Sequence, residues 1–305
     1  MDKVPEEDEE AVFLWENGLF ANEEPVVVAV PDMTVIAREK AIDVVFAFGK
    51  HRIVCPCLHE AGAHISARVW RGGLLLASVI ESRSSEILLE NSSLLEVGCG
   101  RGLVGMLAKA LGGERLECTL TDCDDRVLLA LRGMAHVAHF LWEEDMPENS
   151  GVTVRHWSDA YRATADIPAL DKDAQFDVIL AAECLYFACQ EDPLAHAICR
   201  RLRRTNPKAV ALAVVQRRGD DGGFQLVRFR SLLQAAGLTV EQSEGPWPWS
   251  ELLRKHVHQA APGQEGLELG YTMHEIGDPV LLTIRWPLRG VGKGGASEFG
   301  SRAKE

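Results

Sequence analysis

The chain has 305 residues, a net charge of −13, 47% hydrophobic and 25% charged residues. These are the proportions of a soluble globular domain with a sizeable core, and so acidic a chain argues against nucleic acid as a partner, because phosphate binding needs a basic face. The acidic opening MDKVPEEDEE lacks the basic and apolar segments of a secretory signal, and no apolar run reaches the roughly 18 residues of a membrane span, so neither is expected.

Residues 1–10 form a charged tail, and 11–65 are rich in β-branched runs: PVVVAV (25–30), MTVIARE (33–39) and DVVFAFGKHRIVCPCL (43–58). Gly49-Lys50 predicts a hairpin turn in the third run. Residues 66–83 read as a helix despite the Gly72-Gly73 pair. From Leu94 strands alternate with helices. The predicted strands are 94–97, 116–121, 152–157, 176–182, 209–216, 238–242 and 279–286. The predicted helices are 102–111, 124–141, 191–204 and 222–236. Leu103, Leu107 and Leu111 recur at helical spacing before Gly112-Gly113, a C-terminal stop signal. Asp192-Pro193 reads as an N-cap residue followed by proline at the first helical position. Continuous apolar strands such as VILAA and VALAVV suit a sheet covered on both faces. The expected fold is therefore α/β: a doubly wound, mostly parallel seven-stranded sheet over 66–289, with a β-rich extension before it and a flexible tail at 290–305.

The segment LLEVGCGRGLVG, residues 94–105, concentrates four glycines between the first strand and first helix of this alternation. In a doubly wound sheet such a turn lies at the carboxyl ends of the strands, where ligands bind. Two ligands compete. Gly100, Gly102 and Gly105 fit the dinucleotide pattern G-x-G-x-x-G, and Asp122 follows at a distance suited to ribose hydroxyls. The same stretch is also E-x-G-x-G-x-G, from Glu96 through Gly98 and Gly100 to Gly102. An acid directly before the glycines would repel a pyrophosphate but offsets the cationic end of S-adenosylmethionine. Glu96 thus favours the methyl donor over NAD.

That arrangement resembles motif I of the class I S-adenosylmethionine-dependent methyltransferases. Over roughly residues 60–286 the chain resembles the seven-stranded methyltransferases that modify lysines in non-histone proteins. HISARVW, ending in Val69-Trp70, is similar to the segment that precedes motif I in that family. TLTDCDD with Asp122, VTVRHWSD with Trp157, and FDVILAAECLY ending in Glu183-Cys184-Leu185-Tyr186 resemble its later motifs. The resemblance implies S-adenosyl-L-methionine as cofactor, held by Trp70, Glu96, Gly98, Gly100, Gly102, Asp122, Trp157 and Ala182. It implies Glu183 and Tyr186 as catalytic residues facing an acceptor amine. Lysine-directed members usually carry Asp at the Glu183 position, and some relatives with Glu act on histidine, so both acceptors stay open. A small-molecule acceptor on the same fold is the third alternative. The C-terminal half is similar to calmodulin-lysine methyltransferases, including the Arg217-Arg218-Gly219 turn, which makes calmodulin a lead partner. The net charge of −13 gives no steering toward that acidic protein. A monomer is expected.

The eight cysteines show no regular framework, and several lie in apolar runs, so free thiols in a reducing compartment are expected, the cytoplasm or also the nucleus. No metal is expected. Cys55, Cys57 and His59, with His51 and His64 nearby, lack the paired spacing of zinc ligands. His136 and His139 read as one turn apart on a solvated helix face. Trp247 and Trp249 either wall an acceptor channel or pack a loop.

Overall fold

The computed structural model describes residues 41–58, 69–146, 167–185, 190–217, 224–248, 252, 255–259 and 279–287. The expected strands 25–30, 33–39 and 152–157, and both tails, lie outside the described residues. The extension forms a hairpin of β1 (Ala41–Phe48) and β2 (His51–Leu58), turning at Gly49-Lys50 as expected. A short strand, β9 (Val257–Gln259), which the sequence pattern does not predict, joins the other edge of β1 to make a three-stranded sheet.

The main sheet has seven strands in the order β5-β4-β3-β6-β7-β10-β8. Strands β3 (Ser93–Val97), β4 (Glu117–Asp122), β5 (His136–His139), β6 (Val178–Ala182) and β7 (Val210–Val215) are mutually parallel. β10 (Val280–Arg285) enters antiparallel between β7 and the edge strand β8 (Thr239–Ser243). The chain winds one way from β3 to β5 and the other way from β6 to β7, so strand order reverses between β3 and β6. Such a reversal opens a crevice at the carboxyl edge of the sheet.

Alternation along β6 and β7 feeds two cores. Val178, Leu180, Val210, Leu212 and Val214 join one cluster, which includes α1 (Arg71–Ser82), α3 (Leu103–Gly112) and the hairpin residues Phe46, Phe48 and Ile53. Ile179, Ala181, Ala211, Ala213 and Val215 join the other, beneath α5 (Glu191–Arg201) and α6 (Phe224–Ala235). A strand buried on both faces must be apolar at every position, which is why these runs lack polar alternation. The hairpin is fastened to the body at His256, which is fully buried, stacks on Phe48 with ring centroids 4.3 Å apart and shares a 2.8 Å hydrogen bond with the Ala47 carbonyl.

Three expectations are corrected. The helix expected over 124–141 ends early, as α4 (Asp125–Leu131), because Gly133 takes a left-handed turn at φ 93° and the chain re-enters the sheet as β5. His136 and His139 are therefore strand residues, one exposed and one buried. Helix α1 begins at Arg71, with Trp70 as its N-cap, and the short α2 (Ser84–Ile87) follows it. Helix α5 begins at Glu191, which puts Pro193 inside the first turn, where its missing N–H leaves no helical bond unmade.

Candidate active site

Beyond β3 the chain turns through Gly98, Gly100 and Gly102 at φ 62°, 48° and 71°. Each lies in the left-handed region that a Cβ disfavours, so the backbone itself requires all three glycines. The loop is laced to the end of β4: Cys99 N–H donates to the Thr121 carbonyl at 2.8 Å, and Gly100 N–H donates to Asp122 Oδ2 at 3.0 Å. Gly105 serves a different need. A Cβ there would stand 2.1 Å from Leu120 Cδ2 and 2.5 Å from Glu96 Oε2, so only glycine lets α3 lie this close to the sheet.

Glu96 is 3% exposed, and its Oε2 accepts the Gly105 N–H at 2.8 Å. Its carboxylate braces the first turn of α3 instead of standing open in the crevice, and this changes the electrostatic role expected of it. Burial pushes its carboxyl up to about 8, against the opposing Gly105 hydrogen bond, and nearby Asp122 pushes in the same upward direction. Asp122 closes β4 at the carboxyl edge, 7% exposed. Its two oxygens accept the Gly100 and Asp124 N–H groups, each at 3.0 Å. Burial raises its pKa, while the N–H bonds from Asp124 and Gly100 pull the other way. Each carboxylate oxygen has a second lone pair, so this acid retains the capacity to accept ribose hydroxyls. The residues present thus fit a nucleoside-bearing donor.

Across the strand-order reversal, Ala182 ends β6 and Glu183 follows it, 3% exposed and at φ 54°. Its N–H donates to the Val214 carbonyl at 2.8 Å, and its Oε1 accepts the Gly72 N–H at 2.5 Å. Cys184 packs under the glycine loop: its thiol donates to the Val97 carbonyl at 3.1 Å, and a Cβ on Gly98 would stand 2.9 Å from its sulfur. Burial pushes the Cys99 and Cys184 thiols far up and Cys118 to about 12, so all three stay neutral. Trp70 is partly buried at the start of α1. The structure therefore brings Glu96, Gly98, Gly100, Gly102 and Asp122 together around one loop, with Ala182 and Glu183 on the neighbouring strand. Tyr186, Trp157 and Trp249 lie outside the described residues.

Sequence reasoning missed Gly72. Its signal is the Gly72-Gly73 pair at the head of a helical pattern, which reads as a blemish until the carboxylate beside it is seen. Trp247 packs a loop, with its indole N–H donating to the Pro279 carbonyl at 2.7 Å. Cys55 is buried in the apolar cluster of the hairpin, while the side chains of Cys57 and His59 lie outside the described residues. Among the described residues no helix is long and apolar enough to cross a membrane.

A mostly parallel seven-stranded sheet with one antiparallel strand inserted near its edge, and a glycine loop beside an acid at the order reversal, defines a Rossmann-like methyltransferase fold. A family profile described as lysine methyltransferase matches residues 56–227. The chain belongs to that family. Among curated relatives it is 30% identical over 140 residues to Secreted RxLR effector protein 48 of Plasmopara viticola, covering 44% of this chain and 68% of that one. It is also 30% identical over 122 residues to Protein N-lysine methyltransferase METTL21A of Xenopus tropicalis, covering 40% of this chain and 48% of that one. A solved TehB-like SAM-dependent methyltransferase from Corynebacterium glutamicum aligns at 15% identity and TM-score 0.39, over 70% of this chain and 86% of that one.

Proposed function

We propose that this methyltransferase transfers a methyl group from S-adenosyl-L-methionine to a lysine side chain of another protein. The observation that carries the reading is the placement of Glu183 directly after β6, across the order reversal from the glycine loop and Asp122. When bound, S-adenosyl-L-methionine supplies an electrophilic methyl on a cationic sulfur. In this reading Gly98, Gly100 and Gly102 let the backbone approach that donor, Asp122 takes its ribose hydroxyls, and Trp70, Trp157 and Ala182 complete its pocket. Glu96 holds the loop from behind.

An ammonium has no lone pair, so the acceptor must arrive deprotonated, and a desolvated site favours the neutral amine. Glu183 accepts a hydrogen bond from that amine and aims its lone pair, and Tyr186 walls the approach. Since the displacement is in line, the protein's work is positioning and exclusion of water more than proton abstraction. The family implies a protein acceptor; calmodulin is the lead candidate from the likeness of the C-terminal half, and a cytoplasmic monomer is the form we expect to act. Incubating the protein with radiolabelled donor and cell extract, then hydrolysing the labelled protein fraction to amino acids, tests the reading. Methyllysine is expected. Methylhistidine would transfer the assignment to the other acceptor suggested by glutamate at position 183, and label confined to small metabolites would refute protein methylation.

A further inference from the structure

We propose that Gly72 is the positioning residue for Glu183, and that the missing side chain at position 72 is what allows a glutamate to serve the acceptor at position 183. The inference rests on the reading of Glu183 as the acceptor-facing carboxylate.

Helix α1 has no side-chain cap of its own. Its N-cap, Trp70, makes no side-chain cap hydrogen bond, and no acidic residue occupies its first turn. Helix N-termini expose unmet N–H groups and a partial positive charge, which an anion relieves. The anion comes from 111 residues away: Gly72 N–H donates to Glu183 Oε1 at 2.5 Å, both groups being buried. That bond anchors one oxygen of the carboxylate on the helix. It also joins the segment carrying Trp70 to the loop after β6, so donor-side and acceptor-side elements share one contact.

The fit leaves no room for a Cβ. One built on Gly72 would stand 2.5 Å from Glu183 Cγ, 2.8 Å from Oε1 and 3.0 Å from Val214 Cγ1. Val214 lies on β7 inside the core, and its carbonyl accepts the Glu183 N–H, so neither it nor the Glu183 backbone can retreat far. The clash falls on the glutamate side chain, which must swing away and carry its carboxylate off the acceptor position. Alanine at 183 ends at Cβ. It removes both Glu183 atoms nearest to that position, Cγ and Oε1, and it also gives up the bond to the Gly72 amide.

A double-mutant cycle on the full chain tests this, with Gly72→Ala, Glu183→Ala and the pair together. The readouts are methyllysine formed in heat-treated cell extract from labelled S-adenosylmethionine, affinity for S-adenosylhomocysteine by calorimetry, and melting temperature. Gly72→Ala is expected to cut methyllysine formation by about thirtyfold and Glu183→Ala by about a hundredfold, with S-adenosylhomocysteine affinity within about threefold of wild type, since misplacement or loss of a positioning group is felt mainly in turnover. The double variant should match Glu183→Ala within about twofold, because the side-chain atoms the Cβ strikes are gone. If Gly72→Ala alone is too unstable to assay, the effect of adding Gly72→Ala to the Glu183→Ala background decides, and the Cβ should be close to neutral there. Losses that simply multiply would overturn the proposal. So would parallel losses of S-adenosylhomocysteine affinity and turnover, the mark of a merely structural glycine. Wild-type protein that forms no methyllysine would instead remove the functional reading beneath the proposal, and the proposal with it.

Discussion

Replacing Glu96 by glutamine isolates the energy stored in a buried carboxyl. Burial raises this group from an ordinary 4.5 to about 8. The folded state therefore holds its proton more tightly than the unfolded chain, so this contribution to stability is fully present below pH 4.5 and is lost as pH rises toward 8. At about 1.4 kcal/mol per pKa unit, the full displacement corresponds to roughly 5 kcal/mol, of which roughly 3 kcal/mol is already gone at neutral pH. Glutamine keeps the length and an oxygen for the Gly105 N–H but cannot ionise. Thermal melts of wild type and Glu96→Gln, both without donor, should run close together near pH 5 and separate as pH rises. The variant should gain about 5–10 °C on wild type by pH 8, at the usual conversion for a domain of this size. A melting difference that stays constant from pH 5 to pH 9 would refute the claim that Glu96 is buried against its charge.

Asp122→Ala should weaken S-adenosylhomocysteine binding by about 1–3 kcal/mol in calorimetry, through loss of charged hydrogen bonds; unchanged affinity would remove the ribose from Asp122. Gly98→Ala should abolish donor binding, because φ 62° and a sulfur 2.9 Å from the new Cβ both oppose the loop conformation; normal binding would show that the loop relaxes freely. Arg201 is 2% exposed and grips Asp145 through Nε and Nη2, each at 2.7 Å, so Arg201→Met should destabilise by about 3–5 kcal/mol in urea denaturation by stranding a buried charge. A much smaller loss would mean that Arg200, at 3.7 Å from the same carboxylate, takes over the pairing.

What the sequence discloses follows from which physical signals are local. Strand–helix alternation and apolar strands such as VALAVV announce a two-faced sheet, because burial is written into every residue of the strand. The glycines of the loop announce left-handed backbone for the same reason. The end of α4 is misplaced by the pattern because HVAHFL is apolar enough to extend either a helix or a strand, and the deciding residue, Gly133, is a single position. Glu96 reads as an open anion because nothing in its neighbours shows that Gly105, nine positions on, turns its N–H to it. The Gly72–Glu183 contact spans 111 positions and leaves no periodic trace. Local chemistry is legible, while pairings made only by the folded topology are not.

Glu183 shows how these levels meet at the site. A glutamate at φ 54° is an uncommon and strained arrangement, one that glycine would adopt without cost. Its N–H is committed to Val214 and its Oε1 to Gly72, so both the backbone and the side chain hold it there. The three glycines across the order reversal adopt the same left-handed region and need no side chain to be held. Had position 183 served only to turn the chain out of β6, glycine would have relieved the strain, and the helix start at Gly72 could have been capped by a Ser, Thr or Asp in place of Trp70. The chain instead keeps a strained carboxylate and a tryptophan that lends the helix no side-chain cap, and joins the two segments through one amide. Strain retained by two independent contacts, at the edge of the sheet where ligands bind, is what the acceptor-facing role proposed for Glu183 requires.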